Sequence, residues 1–142
     1  MSGSDAELLA EYQAVSAQAA ENPEAFWREQ AERIEWFEFP ETILSKDSNG
    51  ADRWYTGGKL NTAWLALDRH VDAGRGDETA LIYDSPATGI YTKYTYRELT
   101  DWVAKVAGSL VALGVGKGDR VVIYMPMVPE TAVAMLACAR IG

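Results

Sequence analysis

Apolar side chains recur at helical spacing at the start of the chain. Ser4 and Glu7 have the spacing of a capping box, in which each side chain satisfies a backbone N–H at the start of a helix. The apolar positions that follow come every three or four residues, at Leu8, Tyr12, Val15 and Ala19. This period places them on one face and predicts a helix that begins at the capping box.

A second helix is predicted directly after the first. Asn22 is a favoured N-cap residue, and Pro23 fits the first helical position. The apolar stripe of this helix consists of Trp27, Ala31 and Ile34. The aromatic segment 36–40 follows, and its final proline cannot continue a helix. We interpret this segment as an extended stretch that packs across the rest of the protein.

Polar residues and glycines punctuate the next part of the chain. Residues 46–50 are predicted to form a polar loop, and residues 54–58, with two aromatic side chains and two glycines, a second turn. Asn61 is a suitable N-cap for a helix that runs through Val71 and is ended by Gly74 or the next glycine. This stretch therefore leads from loops back into a helix.

The second half contains a predicted β-hairpin and a helix. Residues 80–83 and 90–94 are β-type runs joined by a turn-forming segment, 85–89. Thr95 and Glu98 then form a second capping box. Apolar residues then recur every three or four positions and predict a helix that runs to Gly114: Leu99, Trp102, Val106, Leu110 and Leu113.

The last segments have the pattern of a strand followed by a helix. Residues 120–125 include an apolar run without alternation, which is typical of a strand covered on both faces in a parallel sheet. Pro129 opens a helix in which Met135, Leu136 and Ala139 are available for packing. Such a helix normally leads to a neighbouring parallel strand. We therefore expect the beginning of a larger α/β domain that is cut before its completion.

The composition is that of a folded globular protein. Of the 142 residues, 48% are hydrophobic and 11% aromatic, which argues against disorder and fits one domain. The single cysteine excludes a disulfide framework and suits a reducing compartment. The N-terminus lacks the pattern of a signal peptide, and no apolar run is long enough to span a membrane. We therefore expect a cytoplasmic protein with no membrane partner.

Negative charge is concentrated in the N-terminal arm. The formal net charge is −8, from 21 acidic and 13 basic side chains. Residues 1–52 hold 12 acidic and 3 basic side chains, whereas residues 53–142 hold 9 and 10. The acidic balance argues against a nucleic-acid partner. We interpret the arm as a solvated helix face, and a surface that steers a partner protein is the alternative.

A glycine-rich loop is the first candidate for a binding site. Residues 114–119 resemble a loop that cradles phosphates, and they include Lys117. Phosphate-binding loops lead from a strand into the N-terminus of a helix, whereas this loop leads from a helix into the predicted strand. We therefore interpret it as a helix C-cap and a tight turn with positive-φ glycines. A true nucleotide-binding loop is the alternative.

The remaining candidates provide no active site. His70 is the single histidine and is expected to help to complete a helix terminus. Cys138 lies among apolar residues and is expected to be a small buried hydrophobe rather than a reactive thiol. One histidine and one cysteine nominate no metal site, and the dispersed carboxylates nominate no acid–base pair. The expected sets of catalytic, cofactor-binding and metal-binding residues are therefore all empty.

Several segments in a distinctive order resemble a known family. They are residues 23–27, 36–40, 54–61, 67–70, 95–99, 114–120, 123–130 and 134–142, of which 123–130 is the most specific. Together they resemble the N-terminal part of the AMP-forming short-chain acyl-CoA synthetases, the acetyl- and propionyl-CoA synthetases. The resemblance extends from about Tyr12 to Gly142. Residues 66–71 and 83–89 are more similar to the propionyl type, while Leu65 departs from the asparagine usual in relatives.

The resemblance implies a domain plan. Residues 1–78 correspond to the helical N-terminal cap region of acetyl-CoA synthetases, and residues 79–142 to the incomplete beginning of the AMP-binding domain. The implied fold class is α/β, with a helical N-terminal arm, a β-hairpin and then the first strand–helix unit of an acyl-adenylating domain.

The resemblance also implies the chemistry of a parent enzyme. ATP, Mg²⁺ and coenzyme A convert a carboxylate, propionate or acetate, into an acyl-CoA through an acyl-adenylate. The family's catalytic motifs all correspond to positions beyond Gly142, so this chain is expected to be structural and inactive alone. Its expected partner is the remainder of its own polypeptide, and the chain alone is expected to form a homo-oligomer. A stand-alone interaction module with an acidic arm is the alternative.

Overall fold

The chain folds into two compact units that each combine helices with a two-stranded antiparallel sheet. The structure is a computed structural model that describes residues 3–142. One unit ends at Leu60, and the other spans Asn61–Gly142. Within the described range, no helix is both long and apolar enough to cross a bilayer.

Two helices open the first unit. Helix α1 spans Gly3–Glu21, which confirms the predicted helix. Ser4 already lies in its first turn, so the predicted capping box of Ser4 and Glu7 is wrong, because a capping residue precedes the first helical one. The apolar stripe is largely exposed, with Leu8 at 64% and Tyr12 at 70%.

Helix α2 spans Pro23–Ala31 and begins as predicted. The Asn22 side chain accepts a hydrogen bond from the backbone N–H of Ala25 at 3.1 Å, which satisfies one of the free donors at the helix start. Ala31 is completely buried, and its carbonyl accepts a bond from the Trp36 indole N–H at 2.9 Å. Ile34 lies beyond the end of the helix and is exposed, so its predicted place in the stripe is wrong.

A β-hairpin that the sequence did not predict follows. Strands β1 (Thr42–Lys46) and β2 (Asp52–Thr56) are antiparallel, and Leu44 lies opposite Trp54. In the connecting loop, the Asp47 carboxylate accepts bonds from the N–H groups of Asn49 and Ala51 at 2.8 and 3.0 Å. These donors lower the pKa of Asp47. The predicted polar loop is confirmed, but the predicted second turn is mostly strand.

The aromatic segment 36–40 is fixed to residues that follow β2. Glu38 and Lys59 form an isolated antiparallel bridge. The Phe37 N–H donates to the Lys59 carbonyl at 2.7 Å, and the Lys59 N–H donates to the Glu38 carbonyl at 2.9 Å. The backbone at this bridge is therefore paired like a strand, as predicted.

The second unit begins with an irregular helical stretch. The Asn61 side chain accepts a bond from the Trp64 N–H at 3.1 Å and caps it as predicted. Residues 62–75 include two π-helical segments, Trp64–Asp68 and Val71–Arg75. Gly74 has a φ of 80° near the end of the stretch, the left-handed conformation that glycine adopts readily. The helix and its glycine end are confirmed, whereas nothing in the sequence predicted the π turns.

The predicted hairpin and the helix after it are confirmed. Strands β3 (Thr79–Ser85) and β4 (Ile90–Thr95) are antiparallel, with Ile82 opposite Lys93. Helix α3 spans Tyr96–Ala112, with both bonds of the Thr95–Glu98 capping box in place. Leu113, the last residue of the predicted stripe, lies past the helix and is 82% exposed.

A single cluster of side chains forms the core of the second unit. Its buried members come from the helical stretch, α3 and the last helix, α4 (Pro129–Ile141): Leu67, Leu99, Val103, Ala107, Val133 and Ala137. Trp102, Val106, Leu110 and Leu136 pack against it from partly buried positions. Met135 is 61% exposed and faces away. The start of α4 at Pro129 is as predicted.

The predicted strand 120–125 is not formed. The chain between Ala112 and Pro129 contains no paired strand. Val122 is 90% exposed, Tyr124 99% and Met127 89%. A strand is defined by its ladder, and no other strand within residues 3–142 pairs with this segment. Apolar side chains with strand composition are consequently left in solvent.

Candidate functional site

The glycine-rich loop 114–119 has the geometry of a helix C-cap followed by a turn. Gly114 and Gly118 have φ angles of 95° and 88°. The Gly116 N–H donates to the Asp119 carboxylate at 2.9 Å, and the Gly118 N–H donates to the Gly142 carbonyl at 3.1 Å. These features confirm the interpretation of the loop as a C-cap and tight turn.

The position of this loop is electrostatically unfavourable for phosphate. It follows the carboxyl end of α3 and is bonded to the residue at the carboxyl end of α4. Helix carboxyl ends carry partial negative charge, whereas phosphates bind at amino ends. The Lys117 side chain lies against Gly142, since a Cβ there would be 3.1 Å from the lysine Cγ. Lys117 thus places a cation where the helix dipole favours one, and the loop does not fit the phosphates of ATP.

His70 lies within the helical stretch rather than at its end. Its ring centroid is 4.6 Å from that of Tyr96, and its Nδ1 is 3.2 Å from Nη1 of Arg75. The expected role in completing a helix terminus is therefore wrong. The histidine instead contacts Arg75 at the end of the helical stretch and Tyr96 at the start of α3.

A charged cluster surrounds this histidine. The Arg75 guanidinium donates to the Glu78 carboxylate at 2.9 and 2.8 Å and lies 5.7 Å from the Tyr96 ring centroid. Hydrogen bonding to Arg75 lowers the pKa of Glu78, and the same pair raises the pKa of Arg75. Because both side chains are about half-exposed, the pair contributes little to stability.

Backbone bonds explain why this cluster forms. The Tyr96 N–H donates to the Glu78 carbonyl at 3.0 Å, and the Arg97 N–H donates to the Gly76 carbonyl at 2.9 Å. Gly76 is buried, and a Cβ there would be 2.6 Å from Arg97 Nη2. The cluster thus fixes the start of α3 against the end of the helical stretch, which is a structural task.

An ion pair and an amide join the helical stretch to α4. The Arg140 guanidinium donates to both carboxylate oxygens of Asp68, at 2.7 and 2.8 Å, and this pairing raises the pKa of Arg140. The Asn61 Nδ2 donates to the carbonyls of Ala139 and Arg140 at 3.2 and 3.1 Å. Sequence reasoning missed this junction, because partners so far apart in the chain leave no local pattern.

Cys138 and the carboxylates show no catalytic arrangement. Cys138 is half-buried on α4, so the expected burial is only partial. Within residues 3–142, no three His, Cys, Asp or Glu side chains come together as a metal site would require. The candidates His70, Cys138 and the loop 114–119 do not come together in one site. The contacts of His70 and of the loop are structural.

An apolar groove lies beside the exposed segment. It has a volume of about 290 Å³ and is lined by residues of β3, of the segment before α4 and of α4 itself, among them Ile82, Met127 and Met135. These three side chains are 56%, 89% and 61% exposed. The surface is therefore largely apolar, and the polar side chains that line it are Tyr83 and Thr131.

Two protein-family models match successive parts of the chain. Residues 12–66 match the acetyl-coenzyme A synthetase N-terminus, and residues 67–142 match the AMP-binding enzyme family. An uncharacterized protein of Pseudomonas aeruginosa is 57% identical over 89% of this chain and 20% of its own length. The human mitochondrial acyl-CoA synthetase short-chain family member 3 is 46% identical over 93% of this chain and 19% of its own length.

A solved structure shows the same architecture. The acetoacetyl-CoA synthetase from Streptomyces lividans superposes with a TM-score of 0.74 and 35% identity, over 84% of this chain and 18% of that one. The likeness confirms the expected α/β class, and the chain combines helices with two small antiparallel sheets. The chain spans about a fifth of the length of the curated relatives described above.

Proposed function

The chain belongs to the AMP-binding enzyme family and matches the N-terminal region of short-chain acyl-CoA synthetases, and from this premise we propose that it is the structural N-terminal part of a propionyl-CoA synthetase. In the proposed parent enzyme, a propionate oxygen attacks the α-phosphate of ATP, and pyrophosphate leaves. The thiol of coenzyme A then attacks the acyl carbon, and AMP leaves as the thioester forms. Mg²⁺ bound to the nucleotide would supply neutralisation of the phosphate charge.

The observation that carries this proposal is the order of the two family matches. The match to the acetyl-coenzyme A synthetase N-terminus ends at residue 66, and the match to the AMP-binding enzyme family begins at residue 67. The two matches thus follow one another without a gap up to Gly142. A chance similarity would not arrange both parts in this sequence.

The contribution of this chain is to hold its own helices in place and to offer an apolar surface. Asp68, Arg140 and Asn61 hold the helical stretch against α4. Val122 and Tyr124 expose strand-type side chains, which supports cover by the remainder of the same polypeptide. The loop 114–119 does not fit phosphates, so in this proposal ATP, Mg²⁺ and coenzyme A bind outside this chain.

The preference for propionate rests on two short segments. Residues 66–71 and 83–89 are more similar to the propionyl type, whereas the matching N-terminal model carries the name of acetyl-coenzyme A synthetase. Acetate is therefore the competing substrate. We place the protein in the cytoplasm, a reducing compartment that suits its single cysteine.

The test uses the complete reading frame that contains this chain. AMP formation is measured with ATP, Mg²⁺, coenzyme A and either propionate or acetate. We expect AMP formation that requires both carboxylate and coenzyme A, with the higher kcat/KM for propionate. A higher kcat/KM for acetate favours the acetyl-type alternative.

The 142-residue chain, assayed alone, serves as the matched control. We expect it to release neither pyrophosphate nor AMP, since in this proposal ATP, Mg²⁺ and coenzyme A bind outside this chain. Turnover by this chain alone would contradict its structural role and leave the family assignment intact.

A further inference from the structure

Three aromatic side chains line an open cleft in the first unit. Trp27 comes from α2, and Trp54 and Tyr55 come from β2; the cleft has a volume of about 290 Å³. The ring centroids of Trp27 and Trp54 are 5.8 Å apart with the planes at 80°, and those of Trp54 and Tyr55 are 6.0 Å apart at 46°. Trp27 and Trp54 remain 38% and 45% exposed. Aromatic surface is therefore accessible from solvent.

The backbone at this cleft is strained. Tyr55 has a φ of 55°, and among residues 3–142 it is the only residue other than glycine with a positive φ. A bulky side chain in the left-handed region is unfavourable and persists only where surrounding contacts impose it. The Tyr55 ring lies 5.5 Å from that of Trp36. Strain of this kind is common at binding sites, and here the strained residue, Tyr55, forms one wall of the cleft.

The first unit, which contains the cleft, is acidic. Residues 1–60 carry 12 acidic and 5 basic side chains. Glu24 is exposed and lies three residues before Trp27 on α2, a spacing that makes the two side chains neighbours. The resulting potential attracts cations.

Three basic side chains of α2, β1 and β2 are already engaged. Arg28 lies 5.9 Å from the Phe39 ring centroid. Lys46 pairs with Asp52, and Arg53 pairs with Asp47 at 3.1 Å. The Arg28 contact also shows that a cation over an aromatic ring is an interaction this unit already uses.

We infer that this cleft binds a methylated ammonium cation. Aromatic faces attract cations through their quadrupoles, most strongly when water is displaced. The cleft walls are almost entirely carbon and offer hardly any hydrogen-bond partner. A quaternary ammonium group needs no such partner, whereas a primary ammonium or a guanidinium would lose its hydration without replacement. The negative surroundings select the cation over an apolar group of the same shape.

Choline is the probe, and its uncharged carbon isostere 3,3-dimethyl-1-butanol is the matched ligand control. Binding to the whole chain is followed through the indole N–H signals of the tryptophans in two-dimensional NMR. We expect choline to shift the Trp27 and Trp54 signals saturably and to leave Trp102, in the other unit, unchanged. The isostere should bind about tenfold more weakly, since it lacks the charge. Equal binding of the two ligands, or shifts at Trp102 as large as at Trp27, would overturn the inference.

Variants test separately how the aromatic rings and the negative charge contribute to choline binding. Trp27→Leu should abolish the choline shift at Trp54, whereas Phe37→Leu, at an aromatic residue outside the cleft, should leave it intact. Glu24→Gln keeps all three rings and should weaken choline binding about twofold to threefold without changing binding of the isostere. An unchanged choline affinity in both Trp27→Leu and Glu24→Gln contradicts a site in this cleft. A trimethyl-lysine peptide that binds more tightly than choline identifies a protein side chain as the source of the cation.

Discussion

Arg140 and Asp68 are 72 positions apart in the chain and form a two-pronged ion pair, with N–O distances of 2.7 and 2.8 Å. Their side chains are 31% and 20% exposed, so the pair is partly shielded from water. Planar guanidinium and carboxylate groups match each other in this geometry. The contact fixes the last turn of α4 against the helical stretch after Asn61.

Breaking this pair should destabilise the fold. We expect Arg140→Lys, which keeps the charge and loses the planar fork, to lower the free energy of unfolding by about 1 kcal/mol. The measurement is urea denaturation followed by circular dichroism. Arg75→Lys, in the exposed pair with Glu78, is the matched control and should cost less than about 0.5 kcal/mol. Equal losses in the two variants would show that shielding and geometry add nothing at Arg140.

Asn61 performs two tasks that one substitution can separate. Asn61→Asp keeps the oxygen that accepts from the Trp64 N–H but removes the amide NH₂ group that donates to two α4 carbonyls. We expect a loss of about 1–3 kcal/mol in unfolding free energy, because a carboxylate then faces unpaired carbonyl oxygens.

The matched control for Asn61 is the same change at another cap. Asn22 caps α2 through the Ala25 N–H, and aspartate is an equally good N-cap residue. Asn22→Asp should therefore change the unfolding free energy by less than about 0.5 kcal/mol. Similar effects at both positions would mean that the bonds from Asn61 to α4 contribute nothing.

The capping box of α3 should make stability depend on pH. The Glu98 carboxylate accepts from the Thr95 N–H and hydroxyl, each at 2.9 Å, and these donors lower the pKa of Glu98. A carboxyl whose pKa is lower in the folded chain contributes stability above its ordinary pKa, and this contribution is lost as pH falls through the folded pKa. The lowered pKa of Glu78 acts in the same direction.

We expect Glu98→Gln to flatten the loss of stability between about pH 5 and pH 3. Glutamine still accepts from Thr95 but does not titrate, so the helix cap is kept. The measurement is the free energy of unfolding across that range. Thr95→Ala removes the hydroxyl that donates to the Glu98 carboxylate and accepts from the Glu98 N–H, so it should flatten the slope in part and also lower stability at neutral pH. A slope in Glu98→Gln identical to that of the parent chain would rule out this contribution.

The exposed segment before α4 should drive self-association of the chain. Val122 and Tyr124 are 90% and 99% exposed within a run of strand-forming residues. An unpaired strand-type segment is a template for pairing with another copy. We expect sedimentation velocity to show dimers or larger species as concentration rises, and the double variant Val122→Lys, Tyr124→Lys to remain monomeric.

Leu113→Lys is the control for that experiment. Leu113 is 82% exposed but lies just past the end of α3, outside the strand-type run. It should therefore associate like the parent chain. A parent chain that stays monomeric at every concentration, or a Leu113→Lys variant that becomes monomeric, would contradict pairing through residues 120–127.

Local signals in the sequence predicted most of the elements. The Asn22 and Asn61 caps and the Thr95–Glu98 capping box depend on neighbours a few positions away and are confirmed, whereas the capping box of Ser4 and Glu7, although equally local, is wrong. The hairpin β1–β2 was missed because its strands are short and largely polar, without the alternation that marks a half-buried strand. Its stability comes from packing that local patterns do not encode.

The strand predicted at 120–125 was wrong for the opposite reason: its local pattern is strong, but it has no partner within residues 3–142. The run at 121–125 has strong strand composition, but a strand forms only beside a partner, and composition does not supply one. For the site, the sequence predicted the C-cap geometry of loop 114–119 and no catalytic group. The junction of Asp68 and Arg140 and the cleft at Tyr55 depend on contacts across the fold and on one backbone angle. Neither leaves a periodic trace in the chain.

The π turn at Trp64–Asp68 should give the second unit a tolerance for changes in chain length. A π turn is closed by a bond from residue i to i+5, one residue more than in an α-helix. Deleting one residue from Trp64–Asp68 would tighten that turn into an α-helical one while both ends of the stretch stay where they are. Insertions and deletions among relatives should therefore be absorbed here, between the cap at Asn61 and the turn at Gly76, without shifting the hairpin that follows.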